Sequence, residues 1–144
     1  MKKINMVDLN GQYRKIRWQV NREIKKVIKS SSFINGPIVK EFQKNLEEYL
    51  NVRHVIPCAN GTDALQIALM ALDLKKGDEI ITTNFSFAST IEVILLLGLK
   101  PVIVDIDSKT FNIDPTLIEN KITERTKVII PVHLFGQSCR IEEI

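Results

Sequence analysis

The chain has 144 residues and a formal net charge of +3, with 44% hydrophobic and 26% charged residues. That balance excludes a disordered or fibrous chain and amounts to about one domain's worth of sequence. No apolar run approaches the ~20 residues of a membrane helix, and Met1-Lys2-Lys3 leads into no apolar core segment. The chain therefore reads as soluble and cytoplasmic, with no secretory signal and no membrane span.

The charge is unevenly spread: residues 1–29 hold nine Lys/Arg and two acids, whereas residues 30–144 hold eleven and fifteen. Tyr13, Ile16, Val20, Ile24, Val27 and Ile28 recur at three- and four-residue steps, which predicts an amphipathic helix over about 11–29. Its basic residues form a solvated face. Only Tyr13 and Trp18 stand among the charges, too few aromatics for the stacking platform a nucleic acid requires, so no nucleic-acid partner is expected. Ser30-Ser31-Ser32 ends this helix and Asn35-Gly36-Pro37 turns the chain into a second one over 38–50, marked by Ile38, Phe42, Leu46 and Leu50. The first 50 residues are thus a helical segment, and 51–144 an α/β portion.

His54 to Cys58 is a short apolar run that leads, as a strand would, into Asn60-Gly61-Thr62 and a helix over 62–73. Lys76-Gly77-Asp78 turns the chain. Strands are expected at Glu79–Thr83, Pro101–Asp105 and Lys127–Val132, the second apolar enough to be covered on both faces. Helices are expected over 87–97, stopped by Gly98, and over 115–122, with Pro115 in the first turn. Ile141 to Ile144 reads as the start of one more helix, cut off in its first turn, so either that helix is a tail or the chain is the front part of a longer protein. Strands alternating with helices give an α/β fold with a mainly parallel sheet flanked by helices.

In such sheets ligands gather at the carboxyl ends of the strands, where helix N-termini point into the crevice. Asn60-Gly61-Thr62-Asp63 stands at a junction of that kind. Gly61 lets a ligand approach the backbone, and the free N–H groups of a first helical turn favour an anion. Helix capping by Asn60 or Thr62 explains the same residues. Phe85 and Phe87 follow the first expected strand and offer a flat surface to a planar ligand, or pack in the core. Asp105 and Asp107 suit a hydroxyl ligand or a turn cap. His133 has no nucleophile partner by spacing and reads as structural. Cys58 and Cys139 lack metal-ligand spacing and read as buried free thiols, and no metal site is expected.

Together and in order, the motifs Phe33-Ile34-Asn35-Gly36-Pro37, Asn60-Gly61-Thr62-Asp63-Ala64-Leu65, Gly77-Asp78-Glu79-Ile80-Ile81 and Phe85-Ser86-Phe87-Ala88-Ser89-Thr90 form a recognisable series. It continues through Pro101-Val102-Ile103-Val104-Asp105-Ile106-Asp107 and Ile130-Pro131-Val132-His133-Leu134-Phe135-Gly136-Gln137, and Met6-Val7-Asp8-Leu9 fits its opening. The series resembles the DegT/DnrJ/StrS group of sugar aminotransferases. The resemblance implies the N-terminal portion of the large domain of the aspartate-aminotransferase fold, with pyridoxal 5'-phosphate as cofactor. It implies an amino-acid donor, glutamate, a nucleotide-sugar acceptor and a homodimer when full length.

By the same resemblance Gly61, Thr62 and Asp63 would hold the cofactor phosphate, and Phe87 would stack on the pyridine ring. Some relatives dehydrate sugars instead of aminating them. A relic that binds a phosphate ligand or a full-length paralogue without catalysis is a further alternative. Gln43 stands where the group commonly has Glu, and Arg140 where Asp is frequent. No lysine here falls in a matching motif, so the Schiff-base lysine is expected to be missing and the chain alone to be inactive.

Overall fold

The computed structural model describes residues 7–144; Met1 to Met6, and with them the Met6 end of the opening motif, lie outside the described residues. The chain divides into two units, one ending at Pro57 and the other spanning Cys58–Ile144.

The first unit is helical. Helix α1 (Leu9–Ser30) starts at Asp8, whose carboxylate accepts the Gly11 N–H at 2.9 Å, and ends at Ser31 in the left-handed conformation. Helix α2 (Pro37–Leu50) has Pro at its first position, where a missing N–H costs nothing, and ends at left-handed Asn51. Neither helix contains a buried residue. The expected strand at His54–Cys58 does not form. The Val55 N–H donates to Glu47 Oε1 at 3.0 Å, and Pro57 has no N–H to give, so little backbone is left for a ladder.

The second unit holds a three-stranded parallel sheet in the order β2-β1-β3, with β1 at Glu79–Thr82, β2 at Lys100–Ile103 and β3 at Thr126–Ile129. Helix α3 (Gly61–Met70) precedes β1, and helix α4 (Ser89–Leu96) crosses from β1 to β2. The period of two along the strands sorts the core. Ile80, Val128 and Ile130 face Leu69, Val93, Ile94 and Leu99 on the helical side. Ile81, Val102 and Ile129 face Val104, Ile113, Ile118 and Cys139 on the other. All four residues of β1 are buried. Each large aliphatic side chain enclosed there contributes on the order of 1.5–3 kcal/mol.

Two expectations about the elements fail in this unit. Strand β2 is only partly covered, and Ile103 is exposed, because β2 is an edge strand flanked by β1 alone. The expected helix at 115–122 is two separate 3₁₀ turns, Pro115–Leu117 and Glu119–Lys121. The Ile118, Lys121 and Ile122 N–H groups reach back three residues, the tighter pattern that so short a segment favours over a helix with a costly nucleus. Ile141–Glu143 is likewise a 3₁₀ turn. Gly77 and Gly98 take positive φ at the turns before β1 and after α4, which favours glycine over residues with a side chain.

Candidate active site at the carboxyl edge of the sheet

The site begins with how α3 is capped. Asn60 Oδ1 accepts the Asp63 N–H at 3.0 Å and the Asn60 carbonyl accepts the Ala64 N–H at 3.1 Å. Asn60 Nδ2 donates in turn to Asp63 Oδ2 at 3.2 Å. An α-helix leaves its first four N–H groups without intrahelical partners. Here the Asn60 side chain satisfies the Asp63 N–H and the Ala64 N–H makes the first helical bond, so among the described residues the Gly61 and Thr62 amides stay without an acceptor. A Cβ built at Gly61 would have nothing within 4 Å. Neither crowding nor backbone strain in this chain demands glycine there, and a side chain would project into the open space beside the two free amides. With the Thr62 hydroxyl, this is a donor set suited to a phosphate. Asp63 stands apart from it: its N–H and its carboxylate are both engaged by Asn60, so it organises the turn.

The second half of the site follows β1. Thr83 is buried and its hydroxyl accepts the Phe85 N–H at 3.2 Å, which bends the chain out of the strand. The two aromatics then separate. Phe85 stacks on Phe111, with ring centroids 5.8 Å apart and planes 29° from parallel. Phe87 is 78% exposed, so the core-packing reading fails for it. Asn84, Phe85, Ser86 and Phe87 line one side of an open pocket of about 380 Å³, and Leu134 and Phe135 complete it. These last two were not singled out as site residues in the sequence; the structure leaves Phe135 84% exposed at positive φ after β3, and the one sequence signal is an aromatic followed by glycine just past an expected strand.

The two halves share one edge of the sheet. Leu69 and Met70 near the end of α3 lie with Leu97, just past the end of α4, around a single small cavity, so the two packed helices run in the same direction. Their beginnings, Gly61-Thr62 and Ala88-Ser89, are therefore at the same end, the end to which β1 delivers Phe85 and Phe87.

Other candidates resolve into structure. Asp107 Oδ1 accepts the Lys109 and Thr110 N–H groups at 2.8 and 2.9 Å, and these bonds, the Thr110 one foremost, hold its carboxyl below the usual carboxylate range. Asp105 accepts its neighbour's Ile106 N–H. His133 Nδ1 accepts the Cys139 N–H at 3.0 Å, a structural role as expected. Cys139 is buried, which pushes its thiol pKa up. Cys58 is exposed, against expectation, because the segment before Asn60 pairs with no strand; its thiol donates to the Asn60 carbonyl at 3.4 Å. Among the described residues no His, Cys, Asp and Glu cluster suits a metal, and no helix is long and apolar enough to cross a membrane.

Known proteins share this fold. A solved aminotransferase from Brucella abortus, titled DegT DnrJ EryC1 StrS, superposes with a TM-score of 0.87 at 39% identity, over 98% of this chain and 40% of that one. The Bacillus subtilis protein NtdA, solved with its bound cofactor PMP, gives a TM-score of 0.89 at 37% identity, over 99% of this chain and 34% of that one. The fold is that of the aminotransferases that use pyridoxal phosphate. The profile of the DegT/DnrJ/EryC1/StrS aminotransferase family matches residues 14–144, and the chain belongs to that family. It is 45% identical over 141 residues to the UDP-2-acetamido-2-deoxy-3-oxo-D-glucuronate aminotransferase of Pseudomonas aeruginosa, covering 98% of this chain and 39% of the relative. The chain thus spans about two-fifths of the length of that relative.

Proposed function

We propose that these residues are the phosphate- and ring-binding portion of an enzyme that moves an amino group from glutamate to a keto group of a nucleotide-linked sugar. The observation that carries the reading is the pairing, at one sheet edge, of two free helix-terminal amides with an exposed aromatic ring. Gly61 and Thr62 would take the phosphate of pyridoxal 5'-phosphate through their N–H groups and the Thr62 hydroxyl. Asp63, fixed by Asn60, keeps those donors aimed outward. Phe87 offers its face to the pyridine ring. When bound, the cofactor supplies the electron sink; the protein supplies placement and electrostatics.

Among the described residues no lysine lines the aromatic pocket. We place the lysine that joins the cofactor, and the carboxylate that keeps its ring nitrogen protonated, outside these 144 residues. On their own they would bind pyridoxal phosphate through a few hydrogen bonds and one aromatic contact, together worth about 4 kcal/mol, a Kd near ~1 mM, and would transfer nothing. We place the whole enzyme in the cytoplasm as a homodimer; Leu95 and Leu96, left open in this chain, are apolar surface that the rest of the protein or a second copy would cover.

The test supplies the whole protein that carries these residues with pyridoxal phosphate, glutamate and a nucleotide-linked keto-sugar. The expected result is 2-oxoglutarate and amino-sugar in equal amounts. A deoxygenated sugar formed with one 2-oxoglutarate and one free ammonia, and with no nitrogen kept on the sugar, would move the assignment to a sugar dehydratase. Failure to bind pyridoxal phosphate would remove both.

A further inference from the structure

Besides the Asn84–Phe87 segment, the pocket is bounded by Leu134 and Phe135. This wall belongs to a turn with an unusual backbone: Phe135 and Gly136 both take positive φ, 55° and 82°. A phenylalanine rarely holds that conformation unless its surroundings impose it. Two backbone bonds close the turn, from the Leu134 N–H to the Val132 carbonyl at 3.0 Å and from the Gln137 N–H to the Leu134 carbonyl at 3.1 Å, and one buried side chain ties it to the rest of the unit. Asn112 is 3% exposed; its Oδ1 accepts the Leu134 N–H at 2.9 Å and its Nδ2 donates to the Gln137 carbonyl at 3.1 Å. The two bonds bracket the strained pair from both sides. The preceding residue, Phe111, itself at φ 60°, stacks on Phe85 across the other wall. Residues 111 and 112 therefore touch both walls of one pocket.

We propose that Asn112 is a positioning residue for this pocket: its carboxamide fixes the Leu134–Gln137 turn so that Phe135 faces the ring-binding side, while Phe111 steadies Phe85 opposite. The proposal rests on the reading that the pocket takes the cofactor ring. Asn112 touches no reacting group in this account and acts through Phe135.

The experiment compares the whole protein with its Asn112→Ala, Asn112→Asp and Phe135→Ala variants and the Asn112→Ala/Phe135→Ala double variant. Two quantities are measured: the Kd for pyridoxal phosphate and the hydrogen-exchange rate of the Leu134 amide. Asn112→Ala is expected to weaken binding about tenfold and to speed exchange of the Leu134 amide, which is left with the Val132 carbonyl as its one acceptor. Asn112→Asp keeps the acceptor, so that amide stays protected and binding is partly rescued. In the Phe135→Ala background the Asn112→Ala change should cost no further affinity, which a general loss of stability would not reproduce. A wild-type protein that binds no pyridoxal phosphate overturns the cofactor reading and this one with it. A wild type that binds, alongside an Asn112→Ala variant that binds equally well, overturns this one alone.

Discussion

The two ends of β1 treat their polar groups in opposite ways. At the amino end Glu79 is buried, and every oxygen of its carboxylate is engaged. Oε1 receives Lys100 Nζ at 3.0 Å and Arg125 Nη2 at 3.1 Å, and Oε2 receives the Thr123 hydroxyl at 2.6 Å. At the carboxyl end the Gly61 and Thr62 amides have no acceptor among the described residues, and Phe87 has no ring to pack on. Burying a charge is tolerable only when it is paired and hydrogen-bonded, so the amino end is closed by necessity. Donors left unmatched beside an exposed ring are matched by something else. The closed end holds the fold, and under the proposed function the open end is the one that would meet the ligand.

Breaking the closed end should produce the largest effect on stability. Glu79→Ala leaves two cations and a hydroxyl facing a vacated acceptor, and the midpoint of thermal unfolding should fall more than for any change at the open end. Acid sharpens the same contrast. The hydrogen bonds from Thr123 and Lys100 hold the Glu79 carboxyl below its ordinary value. A group whose folded pKa is depressed stabilises fully above its unfolded value and loses that contribution as pH falls through the folded one. Stability should therefore decline as the pH drops below the ordinary glutamate range, and a Glu79→Gln variant should show a shallower decline.

Asn60 sits between the two cases, since it both caps α3 and aims the free amides. Asn60→Ala should cost about 1 kcal/mol of stability in chemical denaturation, the usual value of a lost cap. It should also weaken phosphate-ligand binding. Phe87→Ala gives the smallest structural effect, within about 0.5 kcal/mol, because an exposed ring supports nothing. Its affinity for pyridoxal phosphate should still fall about threefold to tenfold, which separates ligand contact from fold support.

Much of this division is legible in the residues themselves. The apolar run of β1, the Gly77 and Gly98 turns and the Asn60-Gly61-Thr62 junction report local chemistry, and local chemistry is written in short windows of sequence. What was not legible depends on neighbours far along the chain. Ile103 is apolar yet exposed because β2 has a partner on one side only. The run at His54–Cys58 has strand composition, but its Val55 donor is taken by the Glu47 side chain. Phe85 and Phe87 are equivalent in sequence; only the stacking of Phe111 on Phe85, 26 residues later, separates them. Asn112 gave no signal, because its partners lie more than 20 residues away.

The central claim, that the open end of β1 is the ligand-binding end, is tested most directly by titrating the isotopically labelled 144-residue chain with pyridoxal phosphate and following its amide resonances. The account predicts a saturable shift of the Gly61 and Thr62 amides and of the Ser86-Phe87 segment, with a Kd near ~1 mM. The amides around Glu79 should stay still. Saturable shifts that cluster elsewhere, with Gly61 and Thr62 unmoved, would contradict it.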